Sequence, residues 1–567
     1  MMQEKYSKYL ERFWKKNWDP GVKDLEPDEY NTTYVQMINQ TFQEFPKNLA
    51  FSYLGVEGTY KDIDEYSNQF ANMLIQSGFQ KGDAVGINLP NTPEYLISVV
   101  GTLKAGCIVS GVSPLLSAVQ IRYQLNDLGG NGQKKVALVT LDAIFEEHIT
   151  KIADKIPDLK LVVTTSVGGF LPKWKQFLGR LFGKIPKGKV TPLSGKKVLN
   201  FHDDVLKEYP KLPVNVDLSP EDTGWIQYTG GTTGPPKGAM LSHKNCSHNM
   251  MAIINWLGWE RGKGVLCSGF PMFHIAGLTV AESSLYSGWL QILIPNPRDT
   301  DHIVNEMEKY NVTNLVNVPS LYQMLIKNPR FKELDHLNLG TCISAASPFP
   351  KESQLELESI IGQGKLLELY GMTETSPVAT MNPSKGPKKL GTVGMPFQNV
   401  ELKIVDPDTY EEVPIGEPGE ICVRGPLVMK GYYNKPDETR KAIDEDGYMH
   451  TGDVGIMDDD GYIRIVDRTK DMIIVGGYKV FSSKVEDVLS KHRAIDMLAL
   501  IGIPNPDRPG SEIVKAFIQL KPEFQDKDKK ILQEEILEFA KEKCAPYEVP
   551  KLISCFIDSE FFIPLIL

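Results

Sequence analysis

Residues 225–243 read WIQYTGGTTGPPKGAMLSH. An apolar lead is followed by Gly230, Gly231 and Gly234 interleaved with Thr229, Thr232 and Thr233, then by two prolines and Lys237. Glycine lets a backbone curve and approach a ligand closely, and successive N–H groups in such a curve form an anion-binding concavity. The threonine hydroxyls add donors, and Lys237 places a positive charge on departing phosphates. The stretch therefore reads as a loop that wraps a polyphosphate. It is not a Walker loop, in which the lysine is followed by Ser or Thr; here Gly238 follows Lys237. A flexible linker would not combine Thr-Thr, Pro-Pro and Lys in this order.

Outward from this loop, strand and helix patterns alternate. AFSYL (50–54) and DAVGINL (83–89) read as strands, and 61–77 as an amphipathic helix with Ile63, Tyr66, Phe70 and Leu74 on one face. A second helix spans 93–105. Beyond residue 261, short apolar runs such as LVNVP (315–319) and TCISAA (341–346) alternate with helices such as 351–361. Alternation of this kind predicts an α/β fold with parallel sheets covered by helices. Between 383 and 420 Gly, Pro and Asp cluster, and hairpin-like strands ELKIVD (401–406) and GEICVRG (419–425) follow from the pattern. Another strand pair turns at Asp460-Gly461. After 470 a smaller unit ends in a charged helix, 528–543.

The chain has 567 residues, too many for one core, with 41% hydrophobic and 24% charged residues. A net charge of −10 argues against nucleic acid as a partner, which demands a basic footprint. Seven scattered cysteines without a Cys-x-x-Cys pair indicate reduced thiols. The opening MMQEKYSKYLERFWKKNW is charged and lacks the apolar segment of a signal peptide, and no stretch reaches the ~20 apolar residues of a membrane span. The expectation is a soluble, cytoplasmic, multidomain protein. One segment stands apart: 171–190, LPKWKQFLGRLFGKIPKGKV, has six basic residues and no acidic one. Leu171, Trp174, Phe177, Leu178, Leu181, Phe182 and Ile185 would share one helical face, the pattern of either a peripheral membrane contact or a helix docked on its own domain. Gly179 and Gly183 would weaken that helix in isolation.

The loop resembles the phosphate-binding signature of the adenylate-forming superfamily of acyl-CoA synthetases, luciferases and peptide-synthetase adenylation domains. The likeness recurs in order along nearly the whole chain, through TYKDIDEYSNQFANML, KGDAVGINLPNTPEYL, PMFHIAGL, ISAASPFP, LYGMTETSP, GTVGMPFQN, GEICVRGPLVMKGYYN and TGDVGIMDDDGYIRIVDRTKDMI. It implies a large N-terminal domain, 1–466, of two helix-covered sheets plus a small β-barrel part, a hinge at 467–470, and a mobile α+β domain at 471–567. The implied reaction uses ATP, Mg²⁺ and coenzyme A. A carboxylic acid is first converted to acyl-AMP with release of pyrophosphate, and the acyl group then passes to CoA.

Residue by residue, the resemblance implies that Glu374, with Thr229, serves the metal. Mg²⁺ favours one or two carboxylates plus substrate phosphates. Thr373 would reach the α-phosphate, and Tyr370, with Gly371 beside it, would present a flat face to adenine. Ala345 and Ala346 fall where backbone meets adenine; glycine is usual at Ala345, so contact there depends on local torsions. Asp453 and Arg468 would receive the ribose hydroxyls, and His274 would border the acyl carboxylate. Lys470 would be the hinge, with Gly476 and Gly477 lining a channel for the pantetheine arm. At its end the chain departs from the pattern: after YEVPKLIS comes CFIDSEFFIPLIL, with Lys551 the last lysine. The family's Gly-Lys, which touches the acyl carboxylate and α-phosphate, is missing there, so a truncated or altered end and a weakened activation step are expected. Medium- or long-chain fatty acids come first as substrates. Coumarate-like aryl acids and a catalytically weak acyl- or nucleotide-binding protein are the alternatives. A monomer or homodimer is expected.

Overall fold

The computed structural model describes residues 8–229, 235–476, 478–506, 508 and 511–556. The chain divides into two compact units. One comprises Arg12–Glu401 and Val423–Met449; the other comprises Met1–Glu11, Leu402–Cys422 and His450–Leu567.

The larger unit is built on two sheets. In the first, eight strands run in the order Gly431–Tyr432, Lys237–Ser242, Thr223–Thr229, Ile108–Gly111, Ala84–Asn88, Val136–Leu141, Leu159–Thr165 and Lys197–Asn200. From Ile108 to Asn200 neighbouring strands are parallel, while Thr223–Thr229 and Lys237–Ser242 form an antiparallel pair. Helices Tyr60–Gln76 and Pro93–Lys104 follow the periodicity. Thr59 caps the first, accepting the N–H of Asp62, and Ile63, Phe70 and Leu74 are buried as expected, with Tyr66 half-buried against the core. Every residue of the second helix is buried. A Cβ at Gly101 would lie 2.7 Å from the Ser67 carbonyl oxygen, so the crossing of the two helices admits only glycine.

The second sheet has nine strands in the order Met395–Pro396, Val378–Met381, Leu366–Gly371, Thr341–Ser344, Asn314–Asn317, Val265–Ser268, Leu290–Leu293, Leu49–Tyr53 and Val56–Thr59. Its centre, from Leu366–Gly371 to Val265–Ser268, is parallel throughout. Both sheets are thus parallel at their middle; the second has antiparallel strands at both edges, and the first at one edge only.

The smaller unit holds a four-stranded sheet, Glu401–Val405, Gly419–Arg424, Met449–Met457 and Ile463–Arg468, in that order. The barrel-like part expected here is this linear ribbon among the described residues. Its turn at Asp460-Gly461 falls where the sequence placed it, with Gly461 in the left-handed region. A three-stranded sheet, Ile495–Pro504, Glu512–Leu520 and Leu552–Phe556, packs with helices Ser482–Leu489 and Lys529–Lys543 around Val514, Ala516, Ile518, Leu532 and Ile536. No described helix is long and apolar enough to cross a membrane.

The basic segment forms helix Lys173–Leu181, which buries none of its own residues. Leu171 and Ile185, outside the helix, are buried. Trp174, Phe177, Leu181 and Phe182 are each more than 60% exposed, and Leu178 is exposed as well. A single seven-residue apolar face is therefore not formed: its flanks anchor the segment and its middle faces outward. Gly179 has a local reason, since a Cβ there would lie 2.5 Å from the Ile185 side chain that folds back beneath the helix.

Candidate active site

Thr229 and Lys237 are the last opposed pair of the antiparallel strands Thr223–Thr229 and Lys237–Ser242. The glycine- and threonine-rich segment between them is therefore anchored at both ends by a β-ladder. Gly230, Gly231, Thr232, Thr233 and Gly234 lie outside the described residues. The Thr229 hydroxyl donates to the Lys237 carbonyl at 3.4 Å. Ser242 then caps helix His243–Leu257 by accepting the N–H of Asn245.

The Lys237 ammonium donates to Glu438 Oε2 at 3.0 Å and sits 4.7 Å from the centre of the Tyr432 ring. Glu438 lies on helix Pro436–Ala442 and is about one-third exposed, as is Lys237. Hydrogen bonds from Lys237 and then Lys441 pull the Glu438 carboxyl down to about 2. Tyr432, on the edge strand paired with Met240 and Ala239, donates its hydroxyl to Glu374 Oε1 at 2.7 Å. Burial, and then the Glu374 charge, push the Tyr432 phenol far up. The loop lysine of one sheet and the acidic residue of the other thus meet across one tyrosine ring.

Glu374 is buried, on a single 3₁₀ turn Thr373–Thr375 just beyond strand Leu366–Gly371. Its carbonyl accepts the N–H of Met429 at 2.9 Å. Gly371 is dictated by packing: a Cβ there would lie 1.9 Å from the Pro377 carbonyl oxygen. Tyr370 and Thr373 are half-buried on the same crossing. Ala345 and Ala346 follow the neighbouring parallel strand Thr341–Ser344, and His274 follows Val265–Ser268 two strands further on. Tyr370, Thr373, Glu374, Ala345, Ala346 and His274 therefore cluster at the carboxyl ends of parallel strands in one sheet. That is where open α/β sheets bind ligands. The left-handed torsion in the alanine pair belongs to Ala346, at φ +72°, and not to Ala345. The His274 ring is an N-cap, its Nδ1 accepting the N–H of Ala276 at 3.2 Å.

A buried carboxylate, threonine hydroxyls and a hydroxyl partner are hard oxygen donors that suit Mg²⁺ arriving with phosphates. In the smaller unit, Asp453 and Arg468 face each other directly across strands Met449–Met457 and Ile463–Arg468. The Arg468 Nε is 3.2 Å from Asp453 Oδ1. Lys470 is exposed just beyond. Gly476 has φ +61° and donates its N–H to Ser511 Oγ at 2.8 Å. Gly477 and residues 557–567 lie outside the described residues.

Tyr432 and Glu438 were not singled out from sequence. The GYYN run of residues 431–434 was visible, but nothing local told that its first tyrosine turns toward Glu374.

Comparison with known proteins identifies the family. Residues 38–433 match the AMP-binding enzyme family, and residues 484–562 match the AMP-binding enzyme C-terminal domain. The long-chain-fatty-acid–CoA ligase of Bacillus subtilis (strain 168) is 37% identical over 533 residues, covering 92% of this chain and 90% of the relative. That of Escherichia coli O6:H1 is 33% identical over 549 residues, covering 96% and 94%. Among solved structures, ATP-bound MatB from Rhodopseudomonas palustris superposes with a TM-score of 0.77 at 26% identity, covering 93% of this chain and 95% of that one.

Proposed function

Since the chain belongs to the AMP-binding enzyme family, we propose that it is an AMP-forming fatty acyl-CoA synthetase that takes a medium- or long-chain fatty acid, MgATP and CoA as substrates. The observation that carries this reading is the alignment of long-chain-fatty-acid–CoA ligases along more than nine-tenths of the chain. The Lys237–Tyr432–Glu374 constellation supports it.

In the first step a carboxylate oxygen of the fatty acid attacks the α-phosphorus of MgATP. The bond from that phosphorus to the bridging oxygen breaks, and pyrophosphate leaves with its electron pair. In the second, the CoA thiolate attacks the acyl carbonyl and AMP departs. No side chain forms a covalent intermediate, so catalysis rests on positioning and on charge stabilisation. Lys237 exchanges Glu438 for the leaving pyrophosphate. Glu374 and Thr229 would hold Mg²⁺, which would neutralise phosphate charge. Thr373 donates to the α-phosphate, Tyr370 and the backbone at 345–346 take adenine, and Asp453 with Arg468 takes the ribose. His274 borders the carboxylate, while its helix-capping bond supports a positioning role rather than proton transfer. Residues 467–470 serve as the hinge between 1–466 and 471–567, and Gly476 with Gly477 lines the pantetheine path.

We place the protein in the cytoplasm with a reversible contact to anionic membrane. The outward apolar side chains of helix Lys173–Leu181 and Phe182, flanked by Lys173, Lys175, Arg180 and Lys184, support this. Such a contact suits an enzyme whose acid partitions into lipid. The deciding experiment measures pyrophosphate release from MgATP with decanoate and with a long-chain acid, with and without CoA, and identifies the thioester. Absence of acid-dependent pyrophosphate release with either acid would refute the assignment.

A further inference from the structure

The four-stranded sheet of the smaller unit gathers three metal-ligating side chains that the adenylation chemistry does not use. Glu420 and Cys422 alternate on strand Gly419–Arg424, and the period of two puts both on one face. His450 comes from Met449–Met457, the adjacent strand. The Cys422 Sγ is 3.4 Å from His450 Nδ1, and the same nitrogen is 3.0 Å from Glu420 Oε2. One ligand atom from each of the three residues lies within 4.8 Å of the others. Cys422 is fully buried, and the His450 and Glu420 side chains are 15% and 9% exposed.

A thiol, an imidazole and a carboxylate are the donor set of Zn²⁺. Tetrahedral bonds of about 2.0–2.3 Å place such ligand atoms roughly 3.4–3.6 Å apart, within a few tenths of an ångström of the Cys422–His450 and His450–Glu420 spacings. The outer contacts suit a metal as well. Glu420 Oε1 accepts the N–H of Gly452 at 2.9 Å, which orients the carboxylate. The Tyr410 ring stands edge-on to His450 at 5.3 Å and shields that side.

We propose that Glu420, Cys422 and His450 form a binding site for one Zn²⁺ ion. On binding, the Cys422 thiol proton leaves to solvent as the S–Zn bond forms. The imidazole proton moves to Nε2, freeing Nδ1 for the metal. The Glu420–Gly452 bond joins this site to Asp453, one residue further along the strand. Zinc occupancy therefore shifts the Asp453–Arg468 pair and slows acyl-AMP formation without competing with Mg²⁺. This last consequence rests on the proposed function; the binding does not.

The test titrates Co²⁺ into the purified full-length chain. One equivalent should produce a near-ultraviolet thiolate-to-cobalt charge-transfer band and intense tetrahedral visible bands, both abolished by Zn²⁺. The bands should vanish in Cys422→Ala and weaken in His450→Gln and Glu420→Gln, yet survive in Cys544→Ala and Cys555→Ala. X-ray absorption of the one-equivalent zinc complex of the wild type should show a single sulfur with nitrogen and oxygen neighbours, which decides the matter even if a variant fails to fold. No charge-transfer band in the wild type, a band retained by Cys422→Ala, or a zinc shell without sulfur would overturn the site. Zinc should also lower the rate of pyrophosphate release in the wild type and leave Cys422→Ala unaffected. Inhibition that persists in Cys422→Ala would overturn the coupling to Asp453. A chain with the bands but no acid-dependent release would leave the zinc site standing and remove the synthetase reading instead.

Discussion

Glu282 offers the sharpest test of the core of the larger unit. It sits on helix Ile275–Tyr286, 1% exposed, with Oε1 accepting the Trp225 indole N–H at 3.1 Å and Oε2 without a hydrogen-bond partner among the described residues. Burial pushes its carboxyl from 4.5 up to about 8, against the opposing effect of the Trp225 hydrogen bond. The folded chain therefore keeps a proton that the unfolded chain releases between these two values, and stability must fall as pH rises through that window. At 1.36 kcal/mol per pH unit, the penalty is about 3 kcal/mol at neutral pH and approaches about 5 above pH 8. Glu282→Gln removes the titration and keeps the Trp225 bond. Its amide N–H groups, set where Oε2 was, lack an acceptor at a pH-independent cost of about 1–3 kcal/mol. The variant should be the less stable protein near pH 5 and gain about 3 kcal/mol on the wild type by pH 8. All seven tryptophans belong to the larger unit, so their fluorescence in a urea titration reports its unfolding alone. Parallel stability profiles for the two proteins from pH 5 to pH 8 would refute the reasoning.

Lys237→Ala should slow acid-dependent pyrophosphate release by about 10²–10³, the effect of losing one preorganised donor; wild-type rates would remove the loop lysine from the mechanism. Glu374→Gln should raise the Mg²⁺ concentration needed for half-maximal release while leaving the fold intact by circular dichroism, and an unchanged magnesium titration would count against the metal role. Glu438→Gln frees Lys237 from an exposed partner, so the KM for MgATP should fall by about two- to five-fold, the range of surface ion pairs; a rise would show that Glu438 positions the lysine instead. Changing Lys173, Lys175, Arg180 and Lys184 to Glu should abolish salt-sensitive flotation with anionic vesicles, and equal flotation of both proteins would leave the helix without a membrane role.

The sequence made local features plain and tertiary ones opaque. Helix Tyr60–Gln76 was readable because its apolar period and its Thr59 cap are both encoded within a few residues. The alternation of strands and helices announced parallel sheets for the same reason. The alanine pair shows where such reading stops. Sequence could say that a methyl group at 345 was unusual, but the left-handed torsion lies at Ala346, which residue type alone does not announce. In the basic segment, periodicity placed seven apolar residues on one face. It could not foresee that the helix ends at Leu181, where Ile185 turns back under Gly179.

The partners that tune the candidate site share one property: each lies far along the chain from the group it serves. Lys237 and Glu438 are 201 positions apart, and Glu374 and Tyr432 are 58. A motif supplies the donors, whereas the folded chain chooses what each donor touches before substrate arrives. The two choices at the nucleotide residues differ in a way that fits their proposed tasks. Glu374 is buried and paired with a neutral hydroxyl, which hydrogen-bonds the carboxylate without cancelling its charge. A lysine in that place would compete directly with Mg²⁺. Lys237 is paired with a carboxylate about one-third exposed, where water screens the attraction and release is easy. A buried acid there would hold it more tightly than a polyphosphate could repay. Exchanging Tyr432 for lysine should therefore impair magnesium use more than Tyr432→Phe does, because the phenylalanine removes one hydrogen bond while the lysine also neutralises the metal's ligand. If the two variants titrate alike with Mg²⁺, the hydroxyl is a packing contact and the charge argument fails.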